Sequence, residues 1–226
     1  RQSERRGLYA SALSGLRGAG RLYPCRCSRR LLADVSAPHG ALPVYPGFCR
    51  DRARGWGAQQ GRLPSWRLRL EAGPLGWSEA YGPPGVLDGP AAIGDVVLRR
   101  ADGYLAYHLA TAVDELTLGI SDVVRGDDLW SATGAQVAVM GALGAAPPRY
   151  GHVPLWRDAA GRRLSKREGA EGLEGYHQRG WDAAAVVGDL AASAALVAPG
   201  IRLSAAELLQ ELGPERLDRA RKTPQA

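Results

Sequence analysis

Asparagine is absent from the 226 residues, phenylalanine and methionine occur once each, and lysine occurs twice. Beside abundant Ala, Gly and Arg, this pattern reads as composition drift of a whole genome, which dilutes the weight of the arginine excess. Long apolar runs are missing too. A near-apolar stretch such as Leu190 to Ala198 is far short of the ~20 residues a membrane span needs, and no charged-then-apolar leader opens the chain. Three cysteines, two of them only two positions apart, are the wrong number and spacing for a secreted disulfide framework. A reducing cytoplasm and no membrane partner are expected.

What is present is ordinary for a soluble globular protein: 45% hydrophobic and 23% charged residues. The length allows a sizeable core in one or two domains. A net charge of +6 admits a polyanionic partner without establishing one.

Residues Gln2 to Gly18 place Leu8, Ala12, Leu13 and Leu16 on one helical face. Leu22 to Cys27 reads as a short strand entering a Cys-x-Cys knuckle, and Ser28 can cap a short helix through Ala33. Ser65 to Leu70 alternates as a half-buried strand does, and a Gly/Pro-rich link from Gly82 to Pro90 leads to a second strand, Ile93 to Leu98. Then come a helix at Ala106 to Leu118, a strand at Ile120 to Arg125, a helix at Ala132 to Leu143 and a strand at His152 to Trp156. Strand, helix, strand at this spacing predicts a βαβ unit and parallel strands. The remainder reads as helical, at Ala183 to Leu196, Ala205 to Leu212 and Pro214 to Arg221.

Three groups of residues could carry chemistry. Cys25, Cys27 and Cys49 offer three thiolates, and zinc prefers four ligands in tetrahedral array; His39 and Tyr45 are the nearby candidates for the fourth. The bland alternative is three cysteines packed as small apolar residues. Arg125 ends a predicted strand, the edge where open parallel sheets bind ligands, and can grip a carboxylate or phosphate through two hydrogen bonds. Tyr107 adds a hydroxyl and an aromatic wall, although both residues also fit a structural role. The Gly-led stretch Gly161 to Arg167 holds Lys166, one of only two lysines beside 27 arginines. A compact ammonium suits the stabilisation of departing phosphate charge; a solvated loop residue is the plain alternative. His108 and His152 sit among apolar residues and read as packed histidines, and Trp66, Arg67 and Arg69 fit either a nucleic-acid contact or a packed strand face.

Taken together, Asp102-Gly103 to His108-Leu109-Ala110, Val113-Asp114-Glu115, Gly119-Ile120 to Asp127-Asp128, Gln136, Tyr150 and His152 resemble the central block of the class I glutamyl-tRNA synthetases. Arg163-Leu164-Ser165-Lys166-Arg167 looks like that family's ATP loop. Cys25-x-Cys27 with Tyr45-x-x-x-Cys49 is similar to the zinc site of the truncated paralogues called glutamyl-queuosine tRNA(Asp) synthetases. There the fourth ligand is a tyrosine, which the resemblance places at Tyr45. Ser131-Ala132-Thr133-Gly134 departs from the family's usual Ser-Thr-Pro-Arg, and its His-x-Gly-His-like element is not found in this sequence.

The resemblance implies an α/β fold: a class I Rossmann domain, incomplete at its N-terminus, with a zinc-knuckle and β insertion and a C-terminal helical segment. It divides the chain into 1–22, the end of the first Rossmann half; 23–100, the insertion; 101–170, the second half with the ATP loop; and 171–226, the helical segment. About 70 to 80 residues are expected to precede Arg1, and this chain alone is expected to be inactive. The implied reaction activates glutamate with ATP and Mg2+, then transfers it to the queuosine base at the wobble position of tRNA(Asp), by a monomer. Tyr107 and Arg125 would contact glutamate, residues 163–167 ATP, and Lys166 with Ser165 would serve catalysis. Its rivals are a piece of a conventional glutamyl-tRNA synthetase and an inactive, zinc-stabilised tRNA-binding paralogue.

Overall fold

In the computed structural model, the residues described are 1–28, 31, 44–52, 55–153, 155 and 172–213. They fall into two compact units, Arg1–Glu79 with Pro84–Val123 and Leu129–Tyr150, and Ala80–Pro83 with Val124–Asp128 and Gly151–Ala226.

The first unit opens with a helical turn at Gln2–Glu4 and helix α1, Arg6–Gly18. Its inward face is Tyr9, Leu13 and Leu16, a one-turn spacing. Leu8, expected on that face, is 45% exposed, and Tyr9 takes its place. Tyrosine wins because its ring is buried while its hydroxyl bonds both carboxylate oxygens of Asp114, at 2.8 and 2.9 Å. Strands β1 (Leu22–Cys25), β2 (Ser65–Leu68) and β5 (Val96–Arg99) form an antiparallel sheet in the order β1-β2-β5. Leu22 faces Leu68 and Cys25 faces Ser65.

Strands β3 (Pro74–Trp77) and β4 (Gly85–Asp88) form an antiparallel hairpin. The link expected from Gly82 to Pro90 is thus half strand. Gly85 belongs in it because a Cβ there would lie 2.0 Å from the Trp77 ring, so only glycine lets the indole lie against the neighbouring strand. A π-helical turn at Gly89–Ile93 then delays β5 to Val96.

Helices α2 (Tyr107–Thr117) and α3 (Trp130–Ala142) complete the unit. Leu109, Ala112 and Val113 of α2 and Ala138, Val139 and Met140 of α3 join the α1 and sheet residues in one core. Buried polar groups fix the pairing: Gln136 donates to Thr111 Oγ1 at 2.7 Å, and the Tyr150 hydroxyl to Glu115 at 3.1 Å. Asp114 also takes bonds from Gln2 at 3.0 Å and Arg5 Nε at 2.7 Å, clamping the N-terminal segment to α2.

Burial pushes the Asp114 carboxyl up, but the bonds from Tyr9, Gln2 and Arg5 outweigh it and hold the group below the ordinary carboxylate range. A depressed folded-state value gives stability that is present above the unfolded value, about 3.9, and lost as the pH falls through the folded one. Asp114→Asn is therefore expected to be destabilised at neutral pH and to show a shallower decline below about pH 4 than the parent. Urea unfolding across that range checks it; parallel profiles would refute the clamp.

Strands β6 (Asp122–Gly126) and β7 (Arg149–Val153) form a two-stranded sheet with α3 between them in sequence. The Arg149 N–H donates to Ser121 O at 2.9 Å, and Arg125 Nε to His152 Nε2 at 3.3 Å. Both contacts advance in the same sense along the two strands, which gives the parallel βαβ unit expected. The expected His152 to Trp156 strand begins three residues earlier, at Arg149.

In the second unit, helices α4 (Leu173–Gln178), α5 (Ala183–Ser193) and α6 (Ala205–Glu211) follow. Asp182 caps α5 by accepting from Ala185 N–H at 2.9 Å, and Ser204 with Glu207 forms a capping box on α6. Helix α5 ends three residues before the expected Leu196. Ala195 takes a positive φ of 56° there and turns the chain. The six-residue α4 is too short to show a period. The segment 214–221, expected as helix, lies outside the described residues.

Candidate functional site

Strand β1 carries Cys25 at its end and Cys27 just beyond. Tyr45 reaches the same place through a parallel bridge to Gly94, and a turn at Phe48–Arg50 carries Cys49. Gly94 has φ +67°, and a Cβ there would stand 2.6 Å from Tyr45 N; the close backbone approach needs glycine. Cys25 and Cys49 are each 1% exposed and Tyr45 6%.

The three sulfurs lie within 4.8 Å of one another. Cys27 Sγ is 3.6 Å from Cys49 Sγ, and the Tyr45 hydroxyl is 3.4 Å from Cys25 Sγ and 3.7 Å from Cys27 Sγ. Tyr45 Oη also accepts from Cys49 N–H at 2.8 Å. Three sulfurs and one phenol oxygen thus converge, and the group could hold a metal ion. His39, the other sequence candidate for the fourth position, lies outside the described residues.

The local electrostatics differ from thiol to thiol. Burial pushes Cys25 up, but hydrogen bonding with Tyr45, the Cys27 backbone and Arg67 overcomes it and lowers the thiol to about 7. Cys27 is pushed up to about 11, chiefly by burial. Burial, followed by hydrogen bonding with the cysteines, raises the Tyr45 phenol well above its ordinary value. The Arg67 guanidinium lies 3.7 Å from the centre of the Tyr45 ring. Arg67 is therefore part of the support for this centre, a packed strand residue rather than a surface contact, being 7% exposed.

Sequence reasoning missed the group beneath. Asp95 is 4% exposed and accepts from the Tyr23 hydroxyl at 2.6 Å, Arg50 Nη1 at 2.6 Å and Leu70 N–H at 2.8 Å. Its carbonyl accepts from Arg67 Nη1 at 2.6 Å. One carboxylate thus ties β1, the neighbour of Cys49 and the end of β2 together. Burial, then the bond to Asp95, raises Tyr23 so that it stays a neutral donor. The only sequence signal was an acid wedged between Gly94 and the strand Val96–Arg99, a pattern with no chemistry of its own. Asp95→Ala would orphan a buried hydroxyl, a backbone N–H and a guanidinium. We expect a loss on the order of 3 kcal/mol in urea unfolding; a change under about 0.5 kcal/mol, as at an ordinary surface position, would refute the tie.

The other expected residues fall as follows. Tyr107 opens α2 in the first unit, 54% exposed, with its ring 5.8 Å from that of His108. Arg125 lies on β6 in the second unit, partly buried, with its Nε donating to His152 Nε2. His152 is 2% exposed and accepts through Nε2, so it is a packed, hydrogen-bonded histidine of the kind its apolar neighbours suggested. Arg163, Leu164, Ser165, Lys166 and Arg167 lie outside the described residues.

The family profile for tRNA synthetases class I (E and Q), catalytic domain, matches residues 86–192. A protein of Prochlorococcus marinus (strain MIT 9303) named glutamyl-Q tRNA(Asp) synthetase is 55% identical over 211 residues, covering 93% of this chain and 64% of that protein. One of the same name from Synechococcus sp. (strain CC9605) is 52% identical over 217 residues, covering 96% and 67%. Among solved structures, a glutamate tRNA ligase from Elizabethkingia meningosepticum CCUG26117 in complex with its amino acid superposes with a TM-score of 0.67 at 19% identity. It covers all of this chain and 50% of that one, and the likeness gives the fold: the α/β catalytic domain of class I. The chain spans 64% of the length of the first curated relatives it matches. With identities above 50% and coverage reaching 67% of a relative, the chain belongs to the glutamyl-Q tRNA(Asp) synthetase family of class I synthetases.

Proposed function

We propose that the whole protein activates glutamate with ATP and transfers it to the queuosine base at the wobble position of tRNA(Asp). The observation that carries this reading is the Cys25–Cys27–Tyr45–Cys49 centre, three thiols and a phenol, in a chain of this family. Zinc is the ion it suits. Zn–S bonds of about 2.3 Å and a Zn–O bond of about 2.0 Å in a tetrahedron set S···S edges of about 3.8 Å and S···O edges of about 3.5 Å. Three of the six edges are 3.6 Å for Cys27–Cys49 and 3.4 and 3.7 Å to the tyrosine oxygen, and all three sulfurs lie within 4.8 Å of one another. When bound, zinc supplies a cross-link between β1 and the 45–49 segment, and the chemistry of transfer lies elsewhere.

In that chemistry the glutamate carboxylate attacks the α-phosphorus of ATP, assisted by Mg2+. A P–O bond forms to make glutamyl-adenylate, and the bond to pyrophosphate breaks. Lys166, with Ser165 beside it in the loop 163–167, delivers an ammonium to the departing charge. Arg125 and Tyr107 hold the amino acid, the guanidinium through a two-bond grip on a carboxylate. The hydrogen bond to His152 limits rotation of the Arg125 side chain, which favours one bound orientation.

We assign the end of the first Rossmann half to residues 1–22, the metal-bearing insertion to 23–100, the second half to 101–170 and the helical segment to 171–226. The protein acts in the cytoplasm as a monomer. Among the described residues no helix is long and apolar enough to cross a membrane.

The test is glutamate-dependent ATP–pyrophosphate exchange by the complete protein without tRNA, followed by transfer of labelled glutamate to tRNA(Asp) with and without queuosine. Label on the queuosine-bearing anticodon fragment alone is expected. Label on the 3′ end would mark a conventional synthetase, and absence of exchange an inactive RNA-binding paralogue.

A further inference from the structure

Four side chains of the first unit, used neither by the metal centre nor by the proposed glutamate and ATP contacts, form a cationic aromatic cluster. Trp66 on β2 and Trp56 in the loop before it meet edge to face, with centroids 4.9 Å apart. Arg17, in the last turn of α1, lies 4.3 Å over the Trp56 ring and 5.2 Å over Trp66. Arg99 of β5 lies 5.1 Å over Trp66. Arg26 donates to the carbonyls of Gly55, Gly57 and Arg62, so the loop that carries Trp56 is held in place.

Several arginines elsewhere in the unit face carboxylates, as Arg5 does Asp114 and Arg50 does Asp95, and Arg26 and Arg67 are taken up by backbone carbonyls. Arg17 and Arg99 do not, among the described residues. A guanidinium stacked on an indole keeps its in-plane N–H donors free for a phosphate. Arg17 is exposed, so the face turned away from the indoles can also stack on a base, which an acidic peptide has no ring to exploit. The net charge of +6 adds a general attraction for polyanions.

We propose that Arg17, Arg99, Trp56 and Trp66 form a docking surface for the sugar–phosphate backbone of RNA. Resting on the function proposed above, that RNA is the body of the tRNA substrate, away from the base that reacts.

The test compares the complete protein with its Arg17→Gln/Arg99→Gln variant, using unfractionated tRNA as probe between 50 and 200 mM salt. Losing two phosphate contacts should flatten the slope of log K against log salt by about 1.4–1.8 and weaken low-salt binding roughly tenfold. Thermal melting and tRNA-independent ATP–pyrophosphate exchange should stay at parental values. If the double variant melts early, Arg17→Gln alone, on an exposed side chain, should still flatten the slope by about 0.8. Parental affinity and slope in a folded variant would overturn the surface. So would an equal loss of binding to poly-glutamate, which would mark a general anion patch. Weakened tRNA binding by the variant supports the surface even if the parent shows no exchange, in which case the proposed function alone falls.

Discussion

Cys49→Ala is expected to take bound zinc from about one ion per chain to near zero and to lower the melting temperature by several degrees. Cys49 is 1% exposed, and its own N–H positions the Tyr45 oxygen. Removing its sulfur leaves two thiols and a phenol, too few for a closed structural site. Two controls separate this from simple packing. If the cysteines were only small apolar residues, the substitution would cost about 1 kcal/mol and a chelator would leave the parent unchanged. With zinc bound, the chelated parent should melt like the variant, because an ion that binds only the folded state stabilises it by mass action. Tyr45→Phe should retain the three thiols and weaken affinity without abolishing it. Zinc content equal in Cys49→Ala and parent, by atomic absorption, would remove the proposed centre.

Lys166→Ala in the complete enzyme should lower turnover by roughly 10²–10³-fold, the usual cost of deleting one electrostatic contact to developing charge. The glutamate KM should change little. The ammonium is assigned to pyrophosphate as it leaves, so its interaction strengthens only in the transition state, and its loss falls on kcat. Lys166→Arg keeps the charge but exchanges a compact, rotatable donor for a planar fork, and should recover part of the rate. Unchanged turnover in the alanine variant would contradict the role, and a rise confined to KM would reassign the residue to ground-state binding.

The elements with a regular apolar period were legible. Helices α2 and α3 lie within two residues of their expected bounds: in α2 Leu109, Ala112 and Val113 recur at helical spacing and face the core, and α3 carries the buried apolar run Val137, Ala138, Val139 and Met140. The βαβ order followed from them. The hairpin β3–β4 was not legible, because its strands are half exposed and broken by Pro74, Gly76 and Gly85; what makes them strands is the packing of Trp77, a tertiary effect. The spacing of the cysteines announced a possible ligand set, whereas its support did not announce itself. Asp95, Arg67 and Arg50 are scattered along the chain and acquire their meaning only when folding brings them together. Asp114, partly buried, and Gln136, fully buried, both quoted in the resemblance, prove to be ties between helices, so part of that signature describes architecture and not chemistry.

The bridge between Tyr45 and Gly94, the Cys49 N–H on the tyrosine oxygen and the carboxylate beneath them each anchor part of the ligand set through the protein's own hydrogen bonds. Residues that touch no sulfur thereby share in setting how the four donors are aimed, because outer partners orient the ligands. A change at Gly94 or Asp95, distant in sequence from Cys25 and Cys49, would be felt first as a misdirected donor and only afterwards as a loss of packing.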